Sequence, residues 1–385
     1  MLNFSFQNPT AIHFGDQQIK KITKEIPSTA KVLVIYGGGS IKSNGVYEQV
    51  KDALNNHTWF EFSGIEPNPT YDTLMKAQEI IKKENIDYLL AVGGGSVVDG
   101  AKFIAAAALF EGAEPWDILS KQQPVKQALP LGAILTLPAT GSESNGNSVV
   151  TRDGNKLAFS SPMVRPVFAD LDPSVTLSLS DRQISNGVVD AFVHVMEQYL
   201  THSVNGKVQD RFAEGLLLTL IEEGPKALAE ASKSDLDIRA NIMWSATMAL
   251  NGLIGAGVPQ DWATHMIGHE LTGAYGIDHA RTLSIVLPAV MKVCREGKRD
   301  KLLQYAERVW KITEGDESTR IEQAILATEQ FFETMQVPTR LSHVDIDQGQ
   351  IDALIGRLEQ HGMTALGEYS NITLDVSRTI LNQAL

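Results

Sequence analysis

Over the first 180 residues, short apolar runs alternate with amphipathic stretches. Residues 31–36 (KVLVIY), 88–92 (YLLAV) and 131–137 (LGAILTL) are compact apolar runs. Each ends in turn residues: a Gly triplet at 37–39, a second at 93–95, and Pro138 with a Thr/Ser/Gly-rich loop. Runs of this length and composition, closed by such residues, predict strands covered on both faces. Residues 71–84 repeat apolar positions with helical spacing. Strands alternating with helices predict a parallel sheet with helices on both sides. After residue 180 the period changes. Helices are predicted at 187–202, 207–231, 238–253, 260–275, 298–313 and 318–335, with few strand signals between them. The pattern therefore predicts an α/β domain over residues 1–179 and an all-α domain over 180–385. In an open α/β sheet, ligands gather at the carboxyl ends of the strands.

Composition narrows the partners. The chain of 385 residues is long enough for two hydrophobic cores. Its net charge of −13 repels nucleic-acid phosphates and anionic lipid. No apolar run approaches the length of a membrane span. The first residues, MLNFSFQNPTAIHFG, lack the basic and long apolar regions of a secretory leader. Cys294 is the only cysteine, so no intrachain disulfide forms. A cytoplasmic protein is expected. Cys294 lies in an apolar-to-basic stretch without an activating partner and reads as packing.

The loops carry the first chemistry. In VGGGSVVDGAK a strand runs into Gly93, Gly94 and Gly95, and a helix begins near Ser96. Glycines let backbone approach a phosphate, and a helix N-terminus offers unpaired N–H groups. The spacing is neither of the two standard nucleotide fingerprints, and a ligand-free turn is the competing reading. A second triplet, Gly37, Gly38 and Gly39, leads into Ser40, with Lys42 close by. An acidic residue at such a strand end holds the ribose hydroxyls of NAD(H) and repels a 2′-phosphate. Its absence from this stretch favours NADP(H). The third loop, TLPATGSESN, offers small hydroxyls suited to neutral hydrogen bonds.

The histidines carry the second. In VVDAFVHVMEQYL, Asp190 and His194 are one helical turn apart on one face. About 70 residues later, DWATHMIGHELTGAYGIDHA supplies His265, His269 and His279. A single helical histidine is ordinarily a satisfied core or surface residue. Three clustered histidines with an Asp–His pair weaken that reading. Zn2+ and Fe2+ both accept imidazole nitrogen and carboxylate oxygen. The HMIGH run lacks the glutamate of the zinc-peptidase motif, so a peptidase is not expected.

Taken together, GGGSVVDGAK, TLPATGSESN, NGVVDAFVHVMEQY and the 255–280 segment resemble the iron-containing (group III) alcohol dehydrogenases, in their butanol-dehydrogenase branch. The resemblance runs through the whole chain, beginning at residues 6–15. It implies a dehydroquinate synthase-like architecture, with an N-terminal dinucleotide-binding domain and a C-terminal metal-binding catalytic domain. It implies a metal, Zn2+ or Fe2+, on Asp190, His194, His265 and His279, with His269 as a further catalytic histidine. It places NADP(H) against Gly37, Gly38, Gly39, Ser40, Asn68, Gly93, Gly94, Gly95, Ser96, Asp99, Thr136, Thr140, Asn145 and Lys156. Asp99 is expected to serve catalysis as well. Many members carry Pro-His-Gly at the last ligand, where this chain has Asp278-His279-Ala280. Many have Thr before Leu-Pro at the domain join, where Ser178 here keeps a hydroxyl and stays among the cofactor contacts. A homodimer is implied too.

The expected reaction is metal-dependent, NADPH-linked reduction of short-chain aldehydes to alcohols, and its reverse. His269 is a candidate to pass the proton. Three alternatives come with it: an NAD-dependent glycerol dehydrogenase-like enzyme, a dehydroquinate synthase-like enzyme, and a non-catalytic metal- or dinucleotide-binding protein. The mostly apolar residues beside the histidines, Trp262, Met266, Ile267, Leu271 and Tyr275, fit small aliphatic substrates better than a phosphate-bearing sugar acid.

Overall fold

The computed structural model describes residues 1–385, which divide into two compact units. One comprises Gln7–Leu179 and Ser234–Thr247; the other comprises Met1–Phe6, Ser180–Lys233 and Met248–Leu385. Two short segments thus depart from a single division after residue 179. The departures have packing reasons. Met243, in the first segment, is fully buried in the sheet unit's core, and Thr247 donates a hydrogen bond to Glu143 at 2.6 Å. At the chain's start, the Leu2 amide donates to the Gly257 carbonyl within the helical unit.

The sheet unit contains six parallel strands: β1 (Ala11–Phe14), β2 (Lys31–Tyr36), β3 (Thr58–Phe62), β4 (Tyr88–Gly94), β5 (Leu131–Leu137) and, after the antiparallel hairpin β6 (Asn147–Arg152) and β7 (Asn155–Ser160), β8 (Phe168–Leu171). Their order is β1-β8-β5-β4-β2-β3, and every pairing is parallel. Alternation along β2 explains why its sequence is apolar throughout. Val32 and Val34 pack on one face with α1 (Ile22–Glu25) and α2 (Val46–Ala53). Leu33 and Ile35 pack on the other with α3 (Tyr71–Glu84) and α4 (Gly95–Ala108). The single turn α5 (Asp117–Ser120) joins the second cluster. Removing one such Leu side chain to Ala would cost about 2–5 kcal/mol.

This order creates one switch point. The connection from β2 leaves toward β3, and the connection from β4 leaves toward β5, on opposite sides of the adjacent β2–β4 pair. Both glycine triplets follow these two strands, at the edge where such sheets bind ligands.

The helical unit contains α6 (Asp181–Tyr199), α7 (Lys207–Leu228), then, after α8 (Leu236–Ala249), α9 (Ala263–Tyr275), α10 (His279–Val293), α11 (Arg299–Arg308), α12 (Glu317–Thr334), α13 (Ile351–Gln360) and α14 (Leu374–Gln383). A small antiparallel pair, β9 (Ala365–Leu366) and β10 (Ile372–Thr373), precedes the last helix. The helix α10 was not among those predicted, and it is the central one: it packs on α6, α9, α12 and α14. Most of it is buried, and it accommodates Pro288, ordinarily a helix breaker, within its length. Ser180 starts α6 with a capping box, its side chain accepting from the Gln183 amide while Gln183 reaches back; such a cap contributes about 1 kcal/mol. No helix is long and apolar enough to cross a membrane.

Candidate metal centre

Three helices of one unit bring the expected ligands together. Asp190 and His194 share a face of α6, His265 and His269 sit one turn apart on α9, and His279 is the first residue of α10. Gly276, at φ +69°, ends α9 and lets the chain turn back within three residues, so that His279 returns to His265. One donor atom each from Asp190, His265 and His279 lies within 4.8 Å of the others. His279 Nε2 is 3.7 Å from Asp190 Oδ1. His194 is outside that trio but borders it: its Nδ1 is 3.9 Å from Asp190 Oδ1, and its ring centre is 4.6 Å from that of His265. His269 lies 5.0 Å from His279, ring centre to ring centre.

The chemistry of this group fits a borderline divalent metal. Asp190 and His194 are buried, and neither Asp190 Oδ1 nor His194 Nδ1 has a hydrogen-bond partner. Such atoms are costly unless something satisfies them. Burial holds the His194 imidazole down to about 4; Asp190 pulls the other way and His265 adds to the lowering. His194 is therefore neutral at physiological pH, the form with a lone pair to give. One carboxylate with neutral imidazoles suits Zn2+ or Fe2+, whereas a hard cation such as Mg2+ prefers oxygen.

Two features of this region were not legible in the sequence. Trp262 precedes α9 with φ +63°, an uncommon backbone for so bulky a residue. Its ring centre is 5.2 Å from His265 and 6.2 Å from His194, so it covers both imidazoles. Asp278 is held by Arg182 at 2.7 Å and Asn186 at 2.8 Å, both on α6. Burial acts to raise its carboxyl, but these bonds outweigh that effect and keep it below the usual range.

The dinucleotide residues all lie in the sheet unit. Gly39 has φ +95°, a conformation that favours glycine. A Cβ at Gly95 would stand 2.5 Å from Thr140 Oγ1, so the third loop packs directly on the start of α4. That start, after Gly94, has no side-chain cap, leaving its first N–H groups available for an anion. Asn68 adopts φ +55° and its amide faces Ser96 Oγ at 3.4 Å. Thr136 is buried in β5, and Lys156 is buried in β7 near the charge of Asp99. Ser178 donates to the Val175 carbonyl and accepts from Asn44.

Two parts of the cofactor loops make contacts that the sequence did not display. Asp99 is partly buried, and its oxygens accept from Ser142 Oγ at 2.5 Å and the Val149 amide at 3.0 Å. It fastens the TGSESN loop and β6 to α4. Asn145 is likewise occupied, taking a bond from Lys102 at 3.1 Å and donating to the Gly141 carbonyl. Lys102, unremarked in the sequence, is the hub of this network, with Ser142 and the Asn147 carbonyl as further partners. Burial pushes its ammonium down to about 8 against the pull of Asp99. The second part is the adenosine end. No acidic residue lies within residues 37–42, but β3 brings Glu61 beside them. Lys42 is 3.3 Å from it, and the Tyr36 and Tyr47 hydroxyls donate to it at 2.5 and 2.6 Å. Burial acts to raise Glu61, yet these donors outweigh it and hold the carboxyl below its usual range.

The chain belongs to the iron-containing alcohol dehydrogenase family. Residues 9–173 match the family described as iron-containing alcohol dehydrogenase, and residues 184–384 match the Fe-containing alcohol dehydrogenase family, C-terminal. It is 58% identical to the NADPH-dependent aldehyde reductase YqhD of Escherichia coli K12 across the full length of both. It is 39% identical to the probable NADH-dependent butanol dehydrogenase 1 of Bacillus subtilis, again across both chains. The crystal structure of E. coli K-12 YqhD superposes with a TM-score of 0.98, covering 100% of this chain and 99% of that one. The NADH-dependent butanol dehydrogenase A of Thermotoga maritima superposes with a TM-score of 0.94 at 37% identity, with the same coverage.

Proposed function

We propose that this protein reduces short-chain aldehydes to alcohols with NADPH, and runs the reverse oxidation, using a divalent metal held by Asp190, His194, His265 and His279. One observation carries the reading: a buried carboxylate oxygen without a hydrogen-bond partner, with imidazole donors from three helices gathered round it. The family and the likeness to an aldehyde reductase support the chemistry. They do not favour the glycerol dehydrogenase-like, synthase-like or non-catalytic alternatives.

When bound, the metal, Zn2+ or Fe2+, supplies a Lewis acid that polarises a carbonyl oxygen. NADPH supplies the hydride. The chain's own residues do the rest. The first amides of α4 and the backbone of residues 37–40 hold phosphate groups, with Lys42 balancing Glu61 beside the adenosine end. Trp262 shields the imidazoles from water on one side. His269 is buried next to His279 and is the residue we assign to deliver a proton from its imidazole as the alcohol forms. The setting we propose is a cytoplasmic homodimer; light scattering of the purified protein tests the assembly.

The deciding experiment follows NADPH oxidation with butanal on chelator-treated protein, before and after adding Zn2+, and anaerobically with Fe2+. Activity that vanishes on chelation and returns with either metal supports the reading. NADPH binding without turnover of butanal or any of a wider aldehyde panel, with either metal, would overturn it.

A further inference from the structure

The α6 stripe that carries Asp190 and His194 continues to a third polar residue, Glu197. The spacing 190, 194, 197 keeps all three on one helical face. Glu197 is only 3% exposed. Its Oε1 accepts the His265 backbone amide at 3.3 Å, and its Oε2 lies 3.3 Å from His265 Nδ1 with no hydrogen-bond partner. Its backbone carbonyl accepts from the Asp261 amide at 2.9 Å. A single residue thus meets both the main chain and the ring of His265. Behind it, Asp261 accepts the Ala263 amide at 2.8 Å and pairs with Lys298, which also binds the Leu200 carbonyl and Glu368. The segment entering α9 is therefore fixed from two sides.

A buried carboxylate oxygen without a partner is expensive, so its placement against an imidazole nitrogen calls for a compensating interaction. Imidazole carries its proton on one nitrogen and its donor pair on the other, and the partner of one nitrogen decides which. A carboxylate oxygen at Nδ1 stabilises Nδ1–H and leaves Nε2, across the ring, as the donor atom. We infer that Glu197 is the positioning residue for His265, fixing its tautomer and ring orientation toward Asp190 and His279. This rests on the ligand assignment proposed above. Carboxylate partners of this kind affect metal affinity by about 10–100-fold in general.

Glu197→Gln separates positioning from simple packing. Glutamine has nearly the same shape, but it offers one acceptor where glutamate offers two. It satisfies either the His265 amide or Nδ1–H, and turns an NH2 donor toward the other. Zn2+ affinity is measured on the full-length protein by competition with a chromophoric chelator, alongside the Tm of the metal-free form. The expected result is a metal-free Tm close to wild type and Zn2+ binding weakened about 10–100-fold. Glu214→Gln, in the buried network with Tyr199 and Gln304, serves as the packing control and should lower Tm without changing Zn2+ affinity. Affinity within twofold of wild type in Glu197→Gln would overturn the role, as would a loss that tracks Tm in both variants. Should Glu197→Gln not fold, 15N NMR of the histidine rings in Zn2+-loaded wild type decides alone. A protonated Nδ1 on His265 supports the inference, and a protonated Nε2 overturns it. Asp190→Ala keeps the two readings apart. If it binds Zn2+ as wild type does, the ligand assignment fails. If it loses Zn2+ while Glu197→Gln retains it, only the role of Glu197 fails.

Discussion

Arg182 Nε lies 2.7 Å from Asp278 Oδ2, tying the first turn of α6 to the residue immediately before His279. Asn186, one turn further along α6, donates to the same oxygen at 2.8 Å. Asp278 stands where many family members carry proline, and here it holds the entry to α10 by side-chain contacts. An ion pair this exposed is worth only about 0–1 kcal/mol by itself. Its consequence lies in where it holds the backbone. Asp278→Ala should lower Tm by no more than about 4 °C while weakening Zn2+ binding about 3–10-fold, through a less restrained His279. Chelator competition and a thermal melt on the same sample check this; unchanged Zn2+ affinity would show that α10 places His279 unaided.

His265→Ala and His269→Ala should separate ligand from proton donor, although the two residues sit one turn apart. The first should lose bound metal and drop aldehyde-dependent NADPH oxidation about 10³-fold or more, since a metal contributes several kcal/mol at the transition state. The second should keep its metal and lose about 10²–10⁴-fold in kcat, with a changed pH profile. Metal analysis beside steady-state kinetics from pH 5 to 9 distinguishes them. Full activity in His269→Ala across that range would remove His269 from proton transfer.

The strands β2, β4 and β5 were open to inspection, because they are buried on both faces and read as unbroken apolar runs, whereas the inner strand β8 is interrupted by Asp170. The helix α10 was hidden for another reason: it contains Pro288, ordinarily a helix breaker, and only three residues separate it from the end of α9. Within the site, residues close in sequence were readable. Asp190 with His194, and His265 with His269, announce themselves by i,i+4 spacing. What the sequence withheld were pairings across elements. Glu61 reaches residues 37–42 only through the β2–β3 register, and Asp278 meets Arg182 across 96 positions. Glu197 had a signal, its place at i+7 from Asp190, but its meaning depends on where α9 docks. Asp99 stood out by its motif, but its contacts with Ser142 and Val149 depend on how the third loop and β6 pack on α4.

Lys42 should govern cofactor choice through Glu61. Its ammonium stands 3.3 Å from that carboxylate, and its pKa is raised above the usual lysine value by Tyr36 and Glu61, so it stays charged. In Lys42→Ala the Tyr36 and Tyr47 hydroxyls still bind Glu61, but the negative charge is no longer balanced beside the loop. A carboxylate there repels a 2′-phosphate and accepts from a ribose hydroxyl. The expected outcome is a KM for NADPH raised about 10-fold, a KM for NADH little changed, and a smaller effect at high salt. Adding Glu61→Gln to Lys42→Ala should recover part of the NADPH affinity. A variant with equal losses for both cofactors would place Lys42 outside 2′-phosphate discrimination.

Asp170 should make the fold less stable as pH rises. It lies fully buried in β8, opposite His13 of β1, and neither carboxylate oxygen has a hydrogen-bond partner. Burial pushes its carboxyl from the ordinary 3.8 up to about 7; the charge of Asp172 adds to this, and Lys21 opposes it. The folded protein therefore keeps a proton that the unfolded chain releases near pH 4. Between those values the folded state binds more protons, so stability falls with rising pH. The stabilising contribution is complete below about pH 4, declines through pH 7, and is gone above it. Asp170→Asn removes the charge and keeps the shape. Its Tm should match wild type within a degree or two near pH 4.5 and exceed it by about 2–6 °C at pH 8. Thermal melts at the two pH values test this, and a gain of equal size at both would mean that the charge of Asp170 is not what the fold resists.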